Sequence, residues 1–217
     1  MVLKIFSSGD TQTNPAGRQF ADNINANEAL FGDDAAFDSR YPGHIRAKSA
    51  RHWTPLTVAG KAAGFLAEAG ARVLDIGSGA GKFCLAGAHY YPETFFYGVE
   101  QRYELVMYAE EAKSHLRLPN AHFIFANMTR INFKEFDHFY FYNSFYENVD
   151  SQDPIDNTID TSYSLYNYYT QYLRAALEQK PGGTRLVTYH SLEEEIPSSY
   201  SLADVSYDTL LKMWIKR

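Results

Sequence analysis

From residue 54 onward the chain alternates short apolar runs with longer amphipathic stretches. Thr54-Pro55 supplies a helix N-cap and a proline at the first helical position. Leu56, Ala59, Ala63 and Leu66 then recur at helical spacing, and Gly70 is a natural stop. Val73, Leu74 and Ile76 make 71–76 a buried strand, and a glycine turn leads into a helix over 82–91, closed by Pro92. The pattern repeats: a strand over 94–99, a crossover helix over 103–118 ended by Pro119-Asn120, and strands over 121–126 and 138–143. A helix over 163–179 is stopped by Pro181-Gly182-Gly183, a fifth strand follows over 184–189, and 205–215 reads as a terminal strand or hairpin. Strands alternating with helices of this length specify βαβ units and a mainly parallel sheet.

The first part of the chain is different. Residues 7–40 are rich in Asn, Asp, Gly and Ser, with a possible helix over 19–30. A mostly acidic block over 22–38 gives way to a basic run, Arg40, Arg46, Lys48, Arg51 and Lys61, with no acid between 40 and 61. These contrasts divide the chain into an extension over 1–53 and a regular body over 54–217. At 217 residues, 45% hydrophobic and 21% charged, the protein has the size and composition of one globular domain with a decoration. One cysteine excludes an internal disulfide framework and a multi-cysteine zinc site, and no histidine pair has metal spacing, so no metal is expected. The net charge of −6 argues against bulk nucleic acid as a partner and leaves a loop-specific RNA open. No apolar run reaches the ~18 residues of a membrane span. Together with an N-terminus too quickly polar for a signal peptide, this gives the expectation of a cytoplasmic protein without membrane contact.

The most informative stretch is Asp75-Ile-Gly-Ser-Gly-Ala-Gly81, between a predicted strand and a predicted helix. Glycines at 77, 79 and 81 remove side chains that would keep a ligand from the backbone, at the strand ends where parallel sheets bind ligands. The dinucleotide fingerprint G-x-G-x-x-G is broken by Lys82, and Asp75 would disfavour a pyrophosphate but suit a cationic group. Glu100 ends the second strand, 25 residues after Asp75, where an acid can accept from both hydroxyls of a ribose.

Together these residues resemble motif I and the following acid of the class I, seven-strand, Rossmann-like S-adenosylmethionine-dependent methyltransferases, over about residues 54–190. The resemblance implies an α/β fold with a doubly wound, mainly parallel seven-stranded sheet, helices on both faces and an N-terminal extension. It implies S-adenosylmethionine as cofactor and S-adenosylhomocysteine as product. Gly77, Ser78, Gly79 and Gly81 would form the turn against the amino-acid part of the cofactor, and Asp75 would orient that turn or reach the cofactor's amino group. Glu100 would hold the ribose and Gln101 flank the adenine. Asn127, where the family often has an acid, would accept from the exocyclic amine, with Met128 on the ring face. Trp53 and Thr54, at the end of the basic run, would form a lid.

The fourth strand ends in Tyr142-Asn-Ser-Phe-Tyr146, which lacks the Asn/Asp-Pro-Pro-aromatic signature of amino-methylating nucleic-acid enzymes. Asn143-Ser-Phe145 looks like the Asn-Asn-Phe stretch of the non-SET histone-lysine methyltransferases, with one Asn replaced. That likeness implies Asn143 orienting the nucleophile and Phe145 and Tyr146 walling an acceptor channel. The expected acceptor is therefore a protein side chain, such as lysine, or a small molecule. A non-catalytic cofactor-binding module and a nicotinamide-dependent oxidoreductase are the competing readings. The oligomeric state is left open.

Overall fold

The structure, a computed structural model, describes residues 28–149 and 155–217. The helix expected over 19–30 lies outside the described residues except at 28–30, which are helical. Seven strands form one sheet: β1 (Arg72–Ile76), β2 (Phe95–Glu100), β3 (Ala121–Phe125), β4 (His138–Tyr142), β5 (Arg185–Tyr189), β6 (Tyr200–Ser206) and β7 (Leu211–Lys216). Their order is β3-β2-β1-β4-β5-β7-β6. The first five run parallel, while β7 is antiparallel to both β5 and β6. The predicted terminal element is thus a hairpin, and it begins earlier than the expected 205. Its turn places Tyr207, Asp208 and Thr209 at positive φ.

Strand parity sorts the core onto two faces. Val73, Tyr140 and Val187 pack into one apolar cluster, and their neighbours Leu74, Phe139, Phe141 and Leu186 into the other. Helices α1 (Leu56–Leu66), α2 (Lys82–Tyr90) and α3 (Tyr103–Leu116) supply Ala59, Leu85 and Leu105 to the first cluster. Helix α4 (Tyr163–Glu178) covers the opposite face with Leu173 and Leu177. Among the described residues no helix is long and apolar enough to cross a membrane.

Helix α1 begins one residue later than its proline signal suggested, with Pro55 as the N-cap and no side-chain cap bond. The Asp34 carboxylate instead accepts from the Leu56 N–H at 2.9 Å. The Thr54 hydroxyl is turned inward to the Tyr140 hydroxyl at 2.9 Å.

Residues 34–53 fold as short helical turns laid against α1 and α2. Lys82, at the first position of α2, is almost fully buried and pairs with Asp34 at 2.6 Å and Asp38 at 2.7 Å. The Tyr41 hydroxyl donates to the Ala80 carbonyl at 2.9 Å. A buried charge without its counter-charges would be costly, so this strap and the glycine turn are held together.

The chain winds from β1 to β2 to β3 in one direction and places β4 on the other side of β1. The loops after β1 and β4 therefore diverge, and a crevice opens at the carboxyl ends, where open α/β sheets bind ligands.

Candidate cofactor and acceptor cavity

A cavity of about 430 Å³ lies at that switch point. It gathers Gly77 and Gly79 from the turn after β1, Glu100 and Gln101 after β2, and Asn127 and Met128 after β3. Asn143, Phe145 and Tyr146 come from the turn after β4, and Trp53 from the strap.

The glycines have separate causes. At Gly79 the backbone is left-handed, with φ of 53°, and a Cβ would meet no atom within 4 Å. This is the open part of the turn. At Gly77 a Cβ would fall 2.5 Å from the Ser144 side chain, whose hydroxyl donates to the Ile76 carbonyl at 2.5 Å. Gly77 thus makes room for the β4 turn to close on the β1 turn. At Gly81, with φ of 86°, a Cβ would fall 2.6 Å from the Phe123 ring. Gly81 serves helix–sheet packing and does not line the cavity. The Ser78 side chain lies over Gly98, where a Cβ would meet its hydroxyl oxygen at 2.5 Å, and it too faces away from the cavity.

Asp75 and Thr54 also fall outside the cavity wall. Asp75 is an odd-numbered position of β1, so it points with Val73 toward α2. There its Oδ2 accepts from the Cys84 thiol, 3.7 Å away. Burial pushes its carboxyl up to about 8, opposed by the Cys84 hydrogen bond and reinforced by the charge of Glu100. Asp75 thus supports the turn from behind, where it borders a small adjoining pocket of about 30 Å³ with Thr54, Gly77 and Ser78.

Glu100 is 5% exposed and forms part of the cavity floor. Its Oε2 accepts from the Gly79 N–H at 3.1 Å and its Oε1 from the Arg102 N–H at 2.9 Å. Burial raises its pKa, while those two N–H groups and the Arg102 charge oppose the rise. A carboxylate has about four acceptor positions. Two are taken by backbone, so the vicinal hydroxyls of a ribose fit the remainder. The open backbone of Gly79 fits the tail of the same ligand, and Leu105 and Met128 on the wall suit a flat heterocycle.

Asn127 lines the cavity but is engaged at both ends of its amide. Its Oδ1 accepts from the Thr129 N–H at 3.0 Å and hydroxyl at 2.9 Å, and its Nδ2 donates to Gln101 at 3.0 Å and the Tyr169 hydroxyl at 2.9 Å. Its oxygen caps a short 3-10 turn, which corrects the expectation that it accepts from an adenine amine.

At the other end of the cavity, Asn143 has left-handed backbone with φ of 42°, a conformation that costs a non-glycine residue about 1 kcal/mol or more. The buried Phe145 ring packs 4.8 Å from Phe141 and 5.6 Å from Tyr169. Tyr146 is 49% exposed at the mouth. The Tyr142 hydroxyl donates to the Arg51 carbonyl at 3.1 Å, and burial pushes that phenol up to about 12.

The basic run is divided. Lys48 and Arg51 line the cavity, whereas Arg40 stacks over Phe37 at 4.8 Å and Lys61 pairs with Asp204 at 3.4 Å. Sequence reasoning passed over Arg102, Glu147 and Tyr169, which also line the cavity. Arg102 had a readable signal, a cation two residues after the strand-end acid. Tyr169 had none, because its place depends on how α4 packs.

Fold and cavity together define a class I, Rossmann-like S-adenosylmethionine-dependent methyltransferase. Residues 67–215 match the family model described as a methyltransferase domain, and the chain belongs to that family. It is 49% identical over 55 residues to a tRNA (guanine-N(7)-)-methyltransferase of Synechococcus sp. (strain JA-3-3Ab), covering 25% of this chain and 23% of that protein. The same-named protein of Synechocystis sp. (strain ATCC 27184 / PCC 6803 / Kazusa) is 44% identical over 55 residues, covering 25% of this chain and 26% of that one. The chain thus spans about a quarter of the length of the curated relatives it matches. Among solved structures, TrmN from Thermus thermophilus superposes with a TM-score of 0.56 at 20% identity, covering 79% of this chain and 51% of that one. An RNA methyltransferase from Salinibacter ruber in complex with S-adenosyl-L-homocysteine gives 0.54 at 18%, covering 75% and 92%. These two likenesses concern the fold.

The nicotinamide reading falls with the family assignment. The expectation that bulk nucleic acid is an unlikely partner, with a protein or small-molecule acceptor, is also overturned, because the curated relatives are tRNA methyltransferases. The physical error was to judge a local site from a charge summed over 217 residues. The charge of −6 is global, while Lys48 and Arg51 put two cations on the cavity wall.

Proposed function

We propose that this protein methylates a nucleobase of RNA, using S-adenosylmethionine, with tRNA as the first RNA to test and guanine N7 as the first atom. The cofactor half of the reading is carried by one observation: the open backbone of Gly79 beside the buried Glu100 carboxylate in a cavity of about 430 Å³. The acceptor half is supported by the tRNA methyltransferase relatives.

When bound, S-adenosylmethionine would supply an electrophilic methyl group on a sulfonium, the C–S bond breaking as the acceptor lone pair takes the methyl in line and the sulfur departing as the neutral thioether of S-adenosylhomocysteine. The residues of the chain hold and orient. Glu100 would accept from the ribose, Gly79 would give the tail access to backbone, and Leu105, Met128 and Trp53 would exclude water from the ring. An aromatic ring nitrogen has an in-plane lone pair, so the site has no proton to remove before attack. Its task is to present the base edge-on. Phe145, backed by Tyr169, is a flat wall for a base, and the half-exposed Tyr146 ring is available for stacking at the mouth. The Asn143 amide, held at left-handed φ, offers a donor and an acceptor to a base edge. In this reading 54–217 is the methyltransferase domain and 1–53 its extension, whose described residues Lys48, Arg51 and Trp53 complete the cavity.

The test is incubation of the protein with methyl-labelled S-adenosylmethionine and separate pools of tRNA, ribosomal RNA, total protein and small metabolites. Label in tRNA, recovered as 7-methylguanosine after nuclease digestion, is the expected result. Label confined to protein or metabolites would refute the RNA acceptor.

A further inference from the structure

Arg102 borders the cavity beside Glu100, with 3% of its side chain exposed. Its backbone N–H donates to Glu100 Oε1 at 2.9 Å, and its guanidinium lies 3.8 Å from the same oxygen. The guanidinium also grips Glu147 with both terminal nitrogens, Nη2 to Oε2 at 2.7 Å and Nη1 to Oε1 at 3.3 Å. Its Nε donates to Asp156 Oδ2 at 3.1 Å. Glu147 belongs to the turn after β4 that carries Phe145 and Tyr146, and it lines the cavity itself.

We propose that Arg102 is a positioning residue that couples the two ends of the cavity, fixing the ribose acid Glu100 with its backbone and the acceptor-side wall at Glu147 and Asp156 with its side chain. The inference rests on the cofactor reading of the cavity and deepens it. Three carboxylates converge on one guanidinium, which offsets the repulsion between Glu100 and Glu147. Glu147 is close enough to act electrostatically on the Glu100 carboxyl. Without the guanidinium these carboxylates repel, and their side chains must turn apart. That response spoils the acceptor geometry at Glu100, although Arg102 itself touches neither reacting atom. Lysine cannot replace it, because a single ammonium cannot fork one carboxylate and reach a second.

The experiment is calorimetric titration with S-adenosylhomocysteine, which lacks the sulfonium and so reports position without that extra positive charge. The proteins are the wild type, Arg102→Met, Arg102→Lys, and each of these variants combined with Glu147→Gln, all checked for folding by circular dichroism. Arg102→Met is expected to weaken binding by about tenfold, because Glu100 loses the group that holds it in place. Arg102→Lys is expected to weaken it by about threefold, and it serves where the Met variant does not fold. Adding Glu147→Gln is expected to restore most of either loss, because it removes the repulsion that the guanidinium had cancelled. Wild-type affinity in a folded Arg102→Met or Arg102→Lys protein would overturn the inference alone. A loss that Glu147→Gln does not rescue would reduce Arg102 to a structural part and overturn it as well. If wild-type protein fails to bind S-adenosylhomocysteine, the cofactor reading fails and takes the inference with it.

Discussion

Replacing Asp75 with Asn separates two roles open to an acid at a strand end: contact with a ligand, or support of the turn from behind. The change keeps the side-chain size and removes the charge. In the fold Asp75 is 4% exposed on the α2 face of the sheet, beside Cys84, and its pKa is pushed up to about 8, chiefly by burial. Unfolded, the carboxyl titrates at its ordinary value of 3.8. The folded protein therefore holds this proton more tightly than the unfolded chain. The stability contributed by the neutral carboxyl is complete below pH 3.8, falls as pH rises, and is fully lost above about 8. Each pH unit is about 1.4 kcal/mol, so at pH 7 the wild type has lost at most about 4 kcal/mol relative to an uncharged side chain. Asp75→Asn does not carry this loss. The two proteins should have similar stability near pH 4 and diverge steadily toward pH 8, with the variant the more stable. Urea unfolding at half-unit steps from pH 4 to 9 measures this directly. Affinity for S-adenosylhomocysteine should change less than about threefold, because the side chain does not reach the cavity. Parallel stability profiles would refute the buried neutral carboxyl, and a large loss of affinity at unchanged stability would return Asp75 to the ligand.

Two glycines of the turn should respond differently. Gly79→Val places a side chain in the open part of the cavity and should abolish S-adenosylhomocysteine binding in titration calorimetry while the protein stays folded. Gly81→Ala meets the Phe123 ring at 2.6 Å and should lower stability by about 1–3 kcal/mol in urea unfolding, with affinity retained in the folded fraction. Lys82→Met leaves Asp38 buried without its counter-charge and should destabilise the protein by about 3 kcal/mol, a loss that Asp38→Asn in the same chain reduces. Asn143→Gly relieves the left-handed backbone, so thermal unfolding should move up or stay level while methyl transfer falls; equal turnover would remove Asn143 from the acceptor site.

The order of strands and helices, and the place of the crevice, could be read in the sequence because both follow from local signals. Glycine and proline mark the ends of elements, and the parallel βαβ winding places its ligand site at the strand tips. What could not be read was direction within a residue's neighbourhood. Motif position put Asp75, Ser78 and Gly81 at the site, but the alternation of β1 turns Asp75 under α2. Ser78 packs over Gly98, and Gly81 is open to Phe123 and not to the cavity. Thr54-Pro55 looked like a self-contained helix start, yet the cap comes from Asp34, 22 residues upstream, and Thr54 is spent on Tyr140. The strap illustrates the same limit. Its acids and its basic run appeared as separate charge blocks, whereas Lys82 of the body draws Asp34 and Asp38 onto the glycine turn and so brings Trp53 to the cavity wall. A glycine motif therefore states that the backbone must come close to something. Whether that something is a cofactor, as at Gly79, or the protein's own Ser144, as at Gly77, is decided by contacts between elements far apart in sequence.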